Sequence, residues 1–104
     1  MRAPAIANPI FHQPVRTRLG LLLYRSEPSF SELKTQLEIT DGNLDAHLKK
    51  LGAAGYLHSR MVLKGRPHTV YCLSESGAAA FRDYIEALGE ICDIALAPPT
   101  EDGA

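Results

Sequence analysis

Between Leu44 and Leu51 the large apolar side chains recur at spacings of four and three residues, and nothing else in that stretch can join a core. At 100° per residue, Leu44, Leu48 and Leu51 fall on one narrow edge of a helix. Gly42, Asn43, Ala46, Lys49, Lys50 and Ala53 point away from that edge, and His47 lies at its border. A chain carrying this segment must bury the leucine edge against other elements and present the opposite face outward. Thr40 or Asp41 supplies a cap before it, and Ala54-Gly55 supplies a stop after it.

The flanking segments decide what the helix packs against. Pro14 suits the first turn of an earlier helix, in which Val15, Leu19, Leu22 and Leu23 form the inner stripe before Glu27-Pro28 ends it. Ser31, preceded by Phe30, is expected to cap a short second helix with Leu33 and Leu37 on one face, followed by a polar turn from Leu37 to Asn43. Downstream, Tyr56 to Leu63 and Thr69 to Leu73 are β-like runs around a basic tip, Lys64-Gly65-Arg66-Pro67-His68. Ser74 caps a long last helix whose apolar positions recur every three or four residues until Pro98-Pro99 stops it. Two helices on a tight turn followed by a charged hairpin predict an α+β, mainly α architecture: a winged helix-turn-helix with a three-helix core, a β-hairpin wing and a long C-terminal helix. We expect residues 1–13 to be a loose lead-in with Ile10 and Phe11 docked on apolar surface. Residues 14–97 then form one domain, whose helix at about 75–97 serves dimerisation, and residues 98–104 form a frayed tail.

The net charge of −1 hides an uneven distribution. Residues 1–68 hold ten Lys/Arg against five acids, +5, whereas residues 69–104 hold one Arg against seven acids, −6. A basic front half attracts phosphates, and an acidic rear suits solubility or a protein contact. Leu21-Leu22-Leu23 lies between Arg18 and Arg25, and no stretch approaches the roughly 18 apolar residues of a membrane span. No secretory signal and no membrane are therefore expected, and a cytoplasmic protein is. Cys72 and Cys92 make no disulfide framework and are expected as small core residues. His12, His47, His58 and His68 lack ligand spacing, and neither a nucleophile–base pattern nor a phosphate-cradling loop is present. No metal, no cofactor and no enzymatic activity are expected.

Double-stranded DNA is the partner these residues best fit. On the outward helix face Gly42 and Ala46 permit close approach, Asn43 can pair with a base edge, and Lys50 can reach a guanine or a phosphate. Asp45 can accept from a cytosine amine, and His47 and Lys49 stand beside it. Lys64, Arg66 and His68 form a cationic tip suited to phosphates or a minor groove. Ser31, Thr40 and Arg60 complete the candidate DNA-binding set. For these features the alternatives are a solvated helix face and a charged turn kept for solubility; for the whole chain the alternative is a winged-helix protein–protein interaction module without nucleic-acid binding. On the last helix, Phe81, Tyr84, Ile85, Leu88, Ile91, Cys92 and Ala95 offer more apolar surface than one small core covers, and predict a homodimer interface.

The run Gly42-Asn43-Leu44-Asp45-Ala46-His47-Leu48-Lys49-Lys50-Leu51-Gly52-Ala53-Ala54-Gly55-Tyr56-Leu57 resembles the recognition-helix pattern of the bacterial winged-helix repressors of the MarR and ArsR type. Leu73-Ser74-Glu75-Ser76-Gly77 is similar to their junction between wing and last helix. The resemblance covers about residues 10 to 95. It implies a dimeric transcriptional regulator, a repressor, whose wing and third helix bind a pseudo-palindromic operator. Separately, a short chain with no second domain suggests that any unidentified small-molecule effector sits at the dimer junction, although no residue identifies it. The Cys-x-Cys pair of the metal-sensing members has no counterpart in Glu32-Leu33-Lys34-Thr35-Gln36-Leu37.

Overall fold

In a computed structural model, which describes residues 2–99, the order is α1 (Pro14–Arg25), α2 (Phe30–Leu37), α3 (Asp41–Ala53), β1 (Leu57–Val62), β2 (His68–Leu73) and α4 (Glu75–Leu96). Each helix begins where a side chain can satisfy its free N–H groups. Gln13 accepts from the Arg16 amide at 2.7 Å, with Pro14 in the first turn. Thr40 accepts from Asn43 N–H, and Ser74 from Gly77 N–H.

The second helix departs from expectation at its start. Ser29, not Ser31, is its cap: the Ser29 hydroxyl accepts from Glu32 N–H, and the Glu32 carboxylate accepts from Ser29 N–H at 3.1 Å. A serine followed three residues later by glutamate satisfies two orphan donors reciprocally, which Ser31 cannot do because no acid stands three residues after it. The hydrogen bonds from Ser29 also lower the Glu32 pKa. The turn after α2 is shorter than expected, because Asp41, Gly42 and Asn43 already belong to α3. That helix closes as a Schellman motif: Tyr56 N–H reaches Leu51 C=O, Gly55 N–H reaches Gly52 C=O, and Gly55 takes the φ of 77° that the motif requires.

The hairpin pairs antiparallel from Leu57 opposite Leu73 to Val62 opposite His68. His68, expected in the tip, is thus the first residue of β2, and the tip is residues 63–67. The hairpin base is tied to the helices at several points. Tyr71 N–H donates to Pro28 C=O, Ser29 bridges Val70, and Ser74 N–H donates to Tyr56 C=O at 2.8 Å. Gly77 is needed there, since any Cβ would run into the Tyr56 backbone.

The core is built from Leu19, Leu23, Leu33, Leu37, Leu44, Leu48, Leu51, Leu73, Phe81, Tyr84 and Phe11. Phe11 corrects the picture of a loose lead-in. It is fully buried, lies parallel to Tyr56 with ring centroids 5.3 Å apart, and meets Phe81 edge-on at 5.0 Å. Asn8 shapes the approach: its Oδ1 accepts from the Ile10 and Phe11 amides, and its Nδ2 donates to the Tyr56 hydroxyl. The expected docking occurs, with Phe11 as part of the core and Ile10, partly buried, packed against it.

The molecule measures 63 × 25 × 23 Å, and the longest element is α4, with 22 residues. Only its first half is buried. Phe81 and Tyr84, expected at a partner surface, are 3% and 4% exposed and are covered by Phe11, Tyr24 and His12 of the same chain. Cys92, expected in a core, is exposed, and so is Ala95. Residues 100–104 of the expected tail lie outside the described residues.

Candidate nucleic-acid interface

The leucine edge of α3 is hidden, with Leu44 and Leu51 at 0% exposure and Leu48 at 5%. Burial of that edge fixes the rotation of the helix, so Gly42, Asn43, Ala46, Lys49, Lys50 and Ala53 are all exposed. A methyl group built on Gly42 or Gly52 meets nothing within 4 Å, so among the described residues nothing leans over this face at those positions. It is 13 residues long, about 20 Å at 1.5 Å per residue, and a helix of this width fits a B-form major groove.

The cations expected to serve this surface separate into two groups. Lys49 Nζ lies 2.9 Å from Asp45 one turn earlier, which raises the lysine pKa through that hydrogen bond and opposes its charge locally. Asp45, considered for a cytosine amine, is occupied by the same pair. Arg60 donates from Nε at 2.8 Å and from Nη2 at 2.5 Å to one oxygen of Glu27, so this hairpin arginine is committed to the end of α1. Lys34 and Asp41 likewise join α2 to α3 at 2.8 Å. Lys50 on α3 and Lys64 and Arg66 at the tip have no ion-pair partner among the described residues, and all three are exposed. The tip turns at Gly65, and His68 Nδ1 sits 2.9 Å from the Arg66 carbonyl.

Three further residues take definite places. Ser31 is exposed on α2 and lines an open cleft with Arg66 and His68 between that helix and the hairpin. The Thr40 hydroxyl is engaged in capping α3. His47 is half-buried, with Nδ1 3.3 Å from Nη1 of Arg16 on α1. Burial first, and the Arg16 charge second, push its pKa below the ordinary 6.5. The side-chain partners of Arg16 are 6 and 31 residues away, and no local sequence pattern announces them. Cys72 is half-buried, and burial, with Glu27 adding to it, raises its pKa.

A second concave feature lies away from this surface, between α1 and α4. It is an apolar groove of about 310 Å³ formed by Leu21, Tyr24, Phe81 and Ile85, with Arg18, Arg25 and Arg82 at its rim. Arg82 Nη2 donates to the Tyr24 hydroxyl at 2.6 Å. No described helix is long and apolar enough to cross a membrane.

A three-helix core with an exposed polar third helix and a basic hairpin beside it defines the winged helix-turn-helix class. The winged helix DNA-binding domain family matches residues 15–92, and the chain belongs to it. It is 42% identical over 78 residues to an uncharacterized protein of Methanocaldococcus jannaschii, an alignment covering 73% of this chain and 85% of that one. Among solved structures it is similar to a transcriptional regulator homologue from Pyrococcus horikoshii, with a TM-score of 0.75, 28% identity, and coverage of 85% of this chain and 89% of the other. It shares its fold with a MarR-family regulator from Enterococcus faecalis, at TM-score 0.65 and 22% identity over 83% of this chain and 76% of that one. The expected winged-helix fold therefore holds, and the protein is a winged-helix DNA-binding-domain protein similar in structure to transcriptional regulators.

Proposed function

We propose that the protein is a sequence-specific transcriptional repressor that binds a pseudo-palindromic operator in double-stranded DNA as a homodimer. The observation that carries this reading is the exposed, unobstructed face of α3 beside a hairpin tip whose Lys64 and Arg66 have no acidic partner among the described residues. In this reading α3 enters a major groove, where Asn43, Ala46, His47 and Lys50 meet base edges. Lys64 and Arg66 touch flanking phosphates, and Ser31, Thr40 and His68 stand at the backbone beside them. Asp45, Lys49 and Arg60 act mainly through their own ion pairs.

Dimerisation is supported by the second half of α4, where Ile85 is 42%, Ile94 38% and Leu96 84% exposed. Ile85, Leu88, Ile91, Cys92 and Ala95 form the contact in this reading, with Phe81 and Tyr84 now assigned to the core. Two copies place their α3 helices about 34 Å apart, one DNA turn, which matches a palindrome. A small-molecule effector would enter the α1–α4 groove, where apolar walls and arginines favour an amphipathic anion.

Selection of bound duplexes from a random pool tests the whole proposal. Two related half-sites at a fixed spacing are expected. Failure to retain any duplex at low salt would overturn it in favour of a protein-interaction module.

A further inference from the structure

The contact between Arg16 and His47 settles more than the packing of α1 on α3. A guanidinium carries only donors, so Nη1 of Arg16 at 3.3 Å from His47 Nδ1 requires that nitrogen to accept. The ring proton of the neutral imidazole then resides on Nε2, at the other side of the ring. Arg16 is well held for this task. Its Nε donates to the Ile10 carbonyl at 2.6 Å, and its own amide is bound by Gln13. Ile10 is in turn fixed through Asn8, next to the buried Phe11. The lead-in, α1 and α3 thus converge on one side chain.

We infer that Arg16 is a positioning residue for base selection: it locks His47 as the Nε2–H tautomer, so that position 47 offers a donor and not an acceptor to the groove. The inference rests on α3 being the groove-reading element proposed above. Around the helix axis His47 lies about 40° from Asn43 and about 60° from Lys50, on one flank of the exposed face. A single N–H donor pairs with N7 or O6 of guanine and finds only another donor in the N4 amine of cytosine. Position 47 therefore favours guanine over cytosine at one base pair of each half-site. Burial of the ring and the Arg16 charge, which both hold the imidazole neutral, keep the Nδ1 lone pair available.

The experiment combines nitrogen NMR of histidine-labelled full-length protein at neutral pH with duplex selection on the same samples, for wild type, R16K, R16M and H47A. Expected are an unprotonated Nδ1 at His47 in wild type and R16K, and tautomer exchange in R16M. The preference for guanine over cytosine at one position should fall about fivefold in R16M and H47A, the worth of one hydrogen bond, while the other positions keep theirs. If R16M does not fold, R16K and H47A still decide, since a wild-type Nδ1 found protonated, or an H47A selection identical to wild type, overturns the inference. Wild type that retains no duplex yet has an unprotonated Nδ1 would overturn the DNA reading and base selection together, leaving the tautomer lock intact.

Discussion

Helix α3 and the second half of α4 both present an open face, but they expose opposite chemistry. The outward side of α3 carries Gly42, Asn43, Ala46 and Lys50, small or polar groups that water or a nucleic acid satisfies equally well. The outward side of α4 beyond Tyr84 carries Ile85, Ile94 and Leu96, which water satisfies poorly. A free polar face needs no partner for stability and is available for reversible binding. A free apolar face gains free energy whenever a second surface covers it. In the function proposed above, the contrast gives DNA to one helix and protein to the other.

The largest effect should come from breaking the buried edge that aims α3. Leu44→Ala removes a fully buried side chain and should cost about 2–5 kcal/mol of unfolding free energy, read by denaturant titration. A cost below 1 kcal/mol would mean that the edge is not what orients the helix. On the other side of the comparison, Ile91→Glu should weaken self-association by about 2 kcal/mol or more, measured by sedimentation equilibrium, with little change in the thermal transition. A wild-type monomer at micromolar concentration would remove the protein half of the contrast.

Smaller effects sharpen the polar half. Asn43→Ala leaves the Thr40 cap intact, because the backbone amide of Asn43 makes that bond. It should reduce discrimination between operator and random duplex by about 1–3 kcal/mol. Lys64→Ala should weaken binding to every sequence and reduce the salt slope by about 1. Equal losses on specific and random DNA for both variants would erase the division between base and phosphate contacts.

The smallest effect concerns protons. The His47 pKa is lowered in the folded protein, so the unfolded chain takes up that proton first and stability drops as pH falls through 6.5 toward the lower folded value. The charged group facing the ring is Arg16. Chemical unfolding at about pH 7.5 and about pH 5.5, a window above the carboxylate range, should show a shallower loss for His47→Gln than for wild type. Identical slopes would mean that the ring is not held neutral by its surroundings.

Much of this architecture was legible because it is local. The cap at Thr40, the stop at Gly55, the cap at Ser74 and the strand pairing each depend on residues within a few positions of one another, so spacing alone announces them. Even locally, competition blurred one boundary: Ser29 and Ser31 are both serines ahead of an apolar run, and Glu32 decides between them. The candidate surface was readable as a set of residues but not as a set of available charges. Lys49, Arg60 and Lys50 look alike in sequence, yet the first is paired within its helix and the second across 33 residues.

What the amino-acid order determined by itself is the inside and outside of α3, the basic hairpin after it and the apolar length of α4, since side-chain periodicity sets each. Tertiary contact alone decided that Phe11, Phe81 and Tyr84 meet in one core, that Glu27 claims Arg60, and that Arg16 holds His47. The physical reason is range. Periodicity acts over three or four residues along the backbone, whereas packing and ion pairing act over a few ångströms in space, between residues that only the completed fold brings together.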